Sequence, residues 1–294
     1  MSHQSTNHIF MLEPVAFRSN PETMDTNAFQ HEDNKTAAEI QKKALSEFRA
    51  FRDLLVEHGV TVTTAKAAKG TPDDIFCNNW VSTHESRRMA LYPMMAKNRR
   101  MERRRDLVEL IRKGYADVLD FSAHEQHSKA LESTGALCLD RVNKVAYSNV
   151  SKRSDEDVAK LWAKTFEYEL VRFETDFEGQ PVYHADVVMW IGTGVAGVCS
   201  KVIKDKTVID RLSKTHDIVE FTNRQMQSFC GNSLEVVGRD GEKMLVMSSG
   251  GAKALTKAQK DQLGKYYKTI ISPKIPTIEY FGGGSARCMM LELF

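Results

Sequence analysis

The chain has 294 residues, 41% hydrophobic and 27% charged, with 17 glycines, a globular composition that supplies a core and excludes a disordered chain. Lys+Arg number 41 against Asp+Glu 39, a net charge of +2, so whole-molecule charge gives no reason to expect nucleic acid or an anionic membrane as partner. The opening MSHQSTNHIFMLEPV lacks a cationic segment leading into an apolar one, and nowhere do about 18 uncharged apolar residues run together. The expectation is a soluble, cytoplasmic protein. Cysteines at 77, 138, 199, 230 and 288 include no C-x-x-C pair and read as reduced thiols, neither a disulfide framework nor a zinc site.

In chain order, IFMLEPVAF and the long helix predicted over Thr36 to His58 lack an opening strand of their own. VTVTTA (from Val60), ADVLDF (from Ala116), ELVRFET (from Glu169), DIVEFT (from Asp217) and TIEYF (from Thr277) are short β-rich runs. They recur at intervals of about 50 to 60 residues, the mark of a repeated supersecondary unit. After each come a loop, a second strand, a turn, a third strand and usually an amphipathic helix. ALCLDRVNKVAYSNV leads into SDEDVAKLWAKTF, with Ser154 as N-cap and acidic residues in the first turn. DVVMWIGTGVAGVCS leads into KDKTVIDRLSK. SLEVVGRDGEKMLVMS, with an Asp-Gly hairpin signal, leads into GAKALTKAQKDQL. At the end, ARCMMLELF is an opening strand with nothing after it, so the two chain ends complete one unit together. The expected fold is α/β, a five-bladed αβ-propeller of ββαβ-type units around a pseudo-fivefold axis, forming one domain over residues 1–294.

The loops of this repeat carry the reactive residues: Asn78 and Asn79, Glu132, His184, Asn232 and Cys288. Units related by an axis bring equivalent loops together, so a thiol, an imidazole and a carboxylate meet, the parts of an activated nucleophile. Cys288 follows Gly282, Gly283 and Gly284, which allow close backbone approach and can aim amide donors at developing negative charge. A thiol with pKa about 8.5 needs a neighbour such as protonated His184 to populate the thiolate, with Glu132 holding the imidazole. His184 and Asp186 form H-x-D, which a strand would place on one face. Asp186 then accepts hydrogen bonds from an NH-bearing substrate, and Asn78 and Asn79 offer neutral amide contacts.

YHADVVMWIG, LESTGALCLDR, PDDIFCNNWVSTH, FCGNSLEV and GGGSARCMMLELF together resemble the signature loops of the pentein, or amidinotransferase-like, superfamily. With EPVAF and TNAFQ they are most similar to the arginine-deiminase-related branch that includes citrulline-utilisation hydrolases. The resemblance implies Cys288 as nucleophile, His184 as general acid/base, Glu132 as the carboxylate orienting it and Asp186 as a substrate-binding residue. Arginine deiminases carry an acidic residue in the loop resembling FCNNW. Asn78 and Asn79 here suit a neutral ureido group over a cationic guanidinium, which implies hydrolysis of citrulline towards ornithine. Arginine deiminase, methylarginine hydrolase and amidinotransferase activities are the alternatives, and a propeller-type ribosome-binding factor is the non-enzymatic one. The retained thiol, imidazole and carboxylate argue against that last reading.

A substrate carboxylate calls for an arginine. Arg141, at the end of ALCLD, is preferred over Arg224, while Arg287 is expected to pack on the opposite face. The basic run NRRMERRR, Asn98 to Arg105, continues into DLVELIRK and reads as a solvated helix face. No metal, nucleotide or flavin is required. The expected partner is a small ureido or guanidino amino acid, not nucleic acid or membrane, with homo-oligomerisation left open.

Overall fold

The computed structural model describes residues 3–294. Five three-stranded sheets repeat one pattern: an inner strand pairs antiparallel with a middle strand, which pairs parallel with an outer one. The first blade is Val81–His84, Arg88–Leu91 and Asp117–Asp120. The second is Leu137–Asp140, Val145–Asn149 and Glu169–Phe173. Met189–Ile191, Val195–Val198 and Asp217–Glu220 form the third, and Leu234–Val237, Lys243–Val246 and Ile270–Ile271 the fourth. The fifth joins both chain ends, with Leu291–Glu292 beside His8–Glu13 and Thr61–Lys66. Inner strands abut across blades: Leu291–Glu292 lies against Val81–His84, and Met189–Ile191 lies against both Leu137–Asp140 and Leu234–Val237. This is the five-bladed αβ-propeller.

In the first four blades tight hairpins join inner to middle strands, whereas a parallel pair needs a crossover, and helices supply it. The longest is Ala37–Glu57. Thr36 and Glu39 form a capping box at its start, and Ile40, Ala44, Phe48, Phe51 and Leu55 line its buried face at helical spacing. Glu156–Phe166 buries Val158, Ala159, Trp162, Ala163 and Phe166. The apolar residues form four clusters between sheets and helices, leaving polar side chains to the axis. No helix among the described residues is long and apolar enough to cross a membrane.

Three local expectations change. TIEYF lies in the helix Pro276–Gly282, not in a strand; Pro276 suits a first turn that needs no N–H, and Glu47 accepts from the Thr277 and Ile278 amides at 3.0 Å. The outer strand of the fourth blade is instead Ile270–Ile271. Asp155 caps Glu156–Phe166, because the Ser154 hydroxyl is engaged with Ser148 and Arg172. The arginines of NRRMERRR largely face inward. Arg99 is buried, Arg100 donates to the Met94 carbonyl, Arg103 reaches the Tyr92 carbonyl and Glu125, and Arg104 donates to the Lys66 carbonyl.

Candidate active site

The segment entering each inner strand carries a polar residue to one end of the axis. Asn78 and Asn79 lie in the turn Cys77–Asn79, Glu132 precedes Ser133–Ala136, and His184 precedes Ala185–Val188. Asn232 stands two residues before Leu234–Val237, and Cys288 lies in Arg287–Met289. H-x-D is therefore a helical turn and not a strand, and it still turns His184 and Asp186 to one side, with Nδ1 to Oδ1 at 4.0 Å.

His184 Nε2 lies 2.8 Å from Glu132 Oε2. A carboxylate can only accept, so Nε2 donates and Nδ1 is left for other chemistry. Burial alone would raise the Glu132 carboxyl, but Arg153 at 3.5 Å, the His184 hydrogen bond and Arg99 at 3.6 Å outweigh it and hold the group below its ordinary value. Ser133, at φ 43°, takes a left-handed conformation here, tied by its hydroxyl to the Val81 carbonyl at 3.0 Å. Gly135 makes room for the imidazole: a Cβ there would sit 2.7 Å from His184 Nδ1 and 2.5 Å from Asn79 Nδ2.

Cys288 Sγ lies 3.5 Å from Asp186 Oδ2 and 3.1 Å from Asn232 Nδ2. Burial and the Asp186 carboxylate push the thiol up, and burial pushes Asp186 up as well. Asn78 Nδ2 approaches Asp186 Oδ2 at 3.4 Å. Asn79 donates to Asn78 and accepts from Arg99, so the two amides bridge the aspartate to a guanidinium. The glycines before Cys288 serve packing. Gly282 and Gly284 lie against Phe76, and Gly283, at φ 62°, leaves no room for a Cβ beside Asn27. The Gly283 carbonyl accepts from Tyr183 Oη at 2.5 Å.

A small cavity is lined by Cys288, His184, Asn79, Asp73, Arg99, Arg153 and Tyr183. Arg153 stacks on Tyr183, its guanidinium carbon 4.9 Å from the ring centre, and donates to Thr26 Oγ1 at 2.8 Å. Asp73 accepts from Asn20 at 2.7 Å. Three buried atoms of the cavity wall have no hydrogen-bond partner among the described residues, Asp73 Oδ1, Arg153 Nε and His184 Nδ1; Asp186 Oδ1, whose carboxylate lies behind the wall against Cys288, has none either.

Arg141 is not among the cavity residues. It pairs with Glu292 at 3.2 Å and stacks on Phe294, lining a separate pocket with His84 and Phe166. Its position at the far end of the inner strand Leu137–Asp140 carries it away from the entering turns. Arg224 is exposed. Arg287 packs as expected against Glu292 and the Met290 carbonyl. The two guanidiniums that do reach the cavity, Arg99 and Arg153, were missed. One is hidden in the basic run and the other in SKRSD, and only the burial of their side chains separates them from surface arginines.

The family model of eukaryotic N,N-dimethylarginine dimethylhydrolases matches residues 13–294. The chain belongs to this family. It is thereby an enzyme of the pentein superfamily, a hydrolase acting on carbon–nitrogen bonds of the non-peptide kind. Among solved structures, the N-terminal domain of ArgZ, an arginine dihydrolase from cyanobacteria, was captured in a mutant form with its substrate. It has a TM-score of 0.77 at 17% identity over 97% of each chain. AgrE in complex with L-arginine gives 0.78 at 17% identity, over 98% of this chain and 40% of that longer one. A DDAH from Pseudomonas aeruginosa, complexed with citrulline, gives 0.70 at 17% identity over 99% of each chain. At such identity these likenesses establish the fold. No curated protein matches the sequence.

Proposed function

We propose that this member of the dimethylarginine dimethylhydrolase family hydrolyses a linear ureido amino acid, converting citrulline to ornithine through a covalent intermediate on Cys288. One observation carries the reading. Three unpaired buried atoms, Asp73 Oδ1, Arg153 Nε and His184 Nδ1, line a cavity with the Cys288 thiol, and a fourth, Asp186 Oδ1, belongs to the carboxylate against that thiol. They complement an amino acid with an NH-rich end: Asp73 suits an α-ammonium, Arg153 with Arg99 an α-carboxylate, and Asp186 the N–H groups of the ureido carbon's substituents. Beside Asp186 stand the amides of Asn78 and Asn79 where a second carboxylate would favour a guanidinium, which supports a neutral ureido group.

In the reaction, the thiol proton passes to the free Nδ1 of His184 and Sγ attacks the ureido carbon. The bond from that carbon to the side-chain nitrogen breaks, and His184 protonates the departing amine, releasing ornithine. Water, deprotonated by His184, attacks the carbamoyl thioester, and carbamic acid leaves to give carbon dioxide and ammonia. Free thiols throughout the chain accord with a cytoplasmic enzyme. A second reading has its own support: the family takes its name from dimethylarginine, and a carboxylate such as Asp186 suits a guanidinium.

The test is turnover of citrulline, arginine, dimethylarginine and agmatine by the purified protein, beside Cys288→Ala. Ornithine and ammonia from citrulline, lost in Cys288→Ala, are expected. Citrulline accumulating from arginine or dimethylarginine, with citrulline itself inert, would replace the ureido reading with the guanidino one. Activity surviving in Cys288→Ala would remove the nucleophile, and transfer to an added amine would mark an amidinotransferase.

A further inference from the structure

Each blade delivers a polar side chain to the axis, and Asn232, from the fourth, has no part in the reading above. It is fully buried. Two partners whose roles cannot be exchanged set the orientation of its amide. The Asp186 backbone carbonyl can only accept and lies 3.1 Å from Nδ2. The Cys288 backbone N–H can only donate and lies 3.4 Å from Oδ1. With the amide so fixed, one hydrogen of Nδ2 goes to the Asp186 carbonyl and the other is directed at Cys288 Sγ, 3.1 Å away. Among the described residues no other side chain donates a hydrogen bond to this sulfur. Asn232 is not part of the cavity wall, so a bound substrate leaves the contact in place.

We infer that Asn232 is a catalytic residue whose Nδ2–H stabilises the Cys288 thiolate as the sulfur becomes the attacking anion. This rests on Cys288 being the nucleophile. An N–H facing a neutral thiol makes a weak contact, whereas the same N–H facing S⁻ makes a charge-assisted one about twice as strong, so the gain arrives with the charge. The need for it is visible in the surroundings, since Asp186 Oδ2 and the amide's own Oδ1, each 3.5 Å from Sγ, oppose a negative sulfur, and the closer Nδ2–H is what offsets them. The thiol proton passes to the base of the site, and Asn232 keeps both of its own. The Asp186 carbonyl contact also ties the donor to the H-x-D turn, so the nucleophile and the substrate-binding aspartate share one anchor.

The experiment is iodoacetamide alkylation of Cys288, followed by peptide mass from pH 6 to 10, in the intact protein and in Asn232→Ala. The inflection is expected to move up by about one pH unit, with alkylation at pH 7 slowed about tenfold. Turnover should lose about tenfold or more in kcat, with KM changed less than about threefold. Asn232→Asp, which keeps the volume but faces the sulfur with an oxygen bearing no hydrogen, should move the inflection further, and it serves where the alanine variant fails to fold. An unchanged inflection in a variant with wild-type circular dichroism and melting temperature overturns the role of Asn232. If Cys288→Ala is inactive while Asn232→Ala titrates as wild type, only this inference falls; if Cys288→Ala stays active, the nucleophile reading falls first.

Discussion

Glu132 shows how one carboxylate can be buried and still ionised: two guanidiniums and an imidazole N–H converge on it. Its pKa is depressed on folding below its ordinary value of about 4.5, so it contributes stability above that value, and the contribution is lost as pH falls towards the folded value. The unfolding free energy of wild type over Glu132→Gln should therefore shrink on acidification below about pH 4.5, as urea titrations at pH 7, 5, 4 and 3 would read out. Arginines separate by role in the same way. Truncating Arg153 to Met should raise KM about 10- to 100-fold through lost charge-assisted hydrogen bonds to a substrate carboxylate. Arg141→Met should leave KM within about twofold and instead lower stability by about 3 kcal/mol, because Glu292 stays buried with one cation fewer. Steady-state kinetics beside chemical denaturation of the two variants distinguishes them.

At the scale of elements, the turn entering each inner strand is the functional unit, and its precision depends on small residues packed against it. Gly135 is the clearest case, since its α-carbon faces both the His184 ring and the Asn79 amide. Gly135→Ala should displace the imidazole by several tenths of an ångström and cost about 100-fold or more in kcat, while circular dichroism stays that of wild type. Retained activity in that variant would show that the ring has freedom the packing does not suggest. From residues 20–30, Asn27 joins the cavity wall. Asn27 reaches the Gly282 and Gly283 carbonyls, and Phe29 packs on Phe177 and Tyr183, so an element outside the repeat closes over it.

For the whole molecule, ring closure and the proposed nucleophile share one segment. Cys288 enters the strand Leu291–Glu292, which completes the fifth blade against His8–Glu13, and Glu292 neutralises both Arg141 and Arg287. Deleting residues 291–294 should expose the edge of His8–Glu13 and leave two buried guanidiniums unpaired. The expected result is protein recovered in the insoluble fraction, or soluble protein with non-cooperative unfolding. A soluble, cooperatively folding truncation would show that the other four blades suffice.

The repeat was legible in the sequence because alternating strands, Asp-Gly turns and helical periodicity are local, and because ARCMMLELF and IFMLEPVAF each lacked what the other had. The loop positions of Asn78, Asn79, Glu132, His184, Asn232 and Cys288 followed from the same period. What lay beyond local pattern was decided by burial. An arginine's sequence neighbours do not say whether its side chain meets solvent or a cavity, so Arg99 and Arg153 could not be told from Arg141. TIEYF reads equally as strand or helix until Glu47, 230 residues away, supplies acceptors for its first amides. Likewise the contact of the Asn232 amide with the sulfur joins residues 56 apart. Periodicity reports which face of an element is apolar; which polar groups meet at the axis is set only when five blades close.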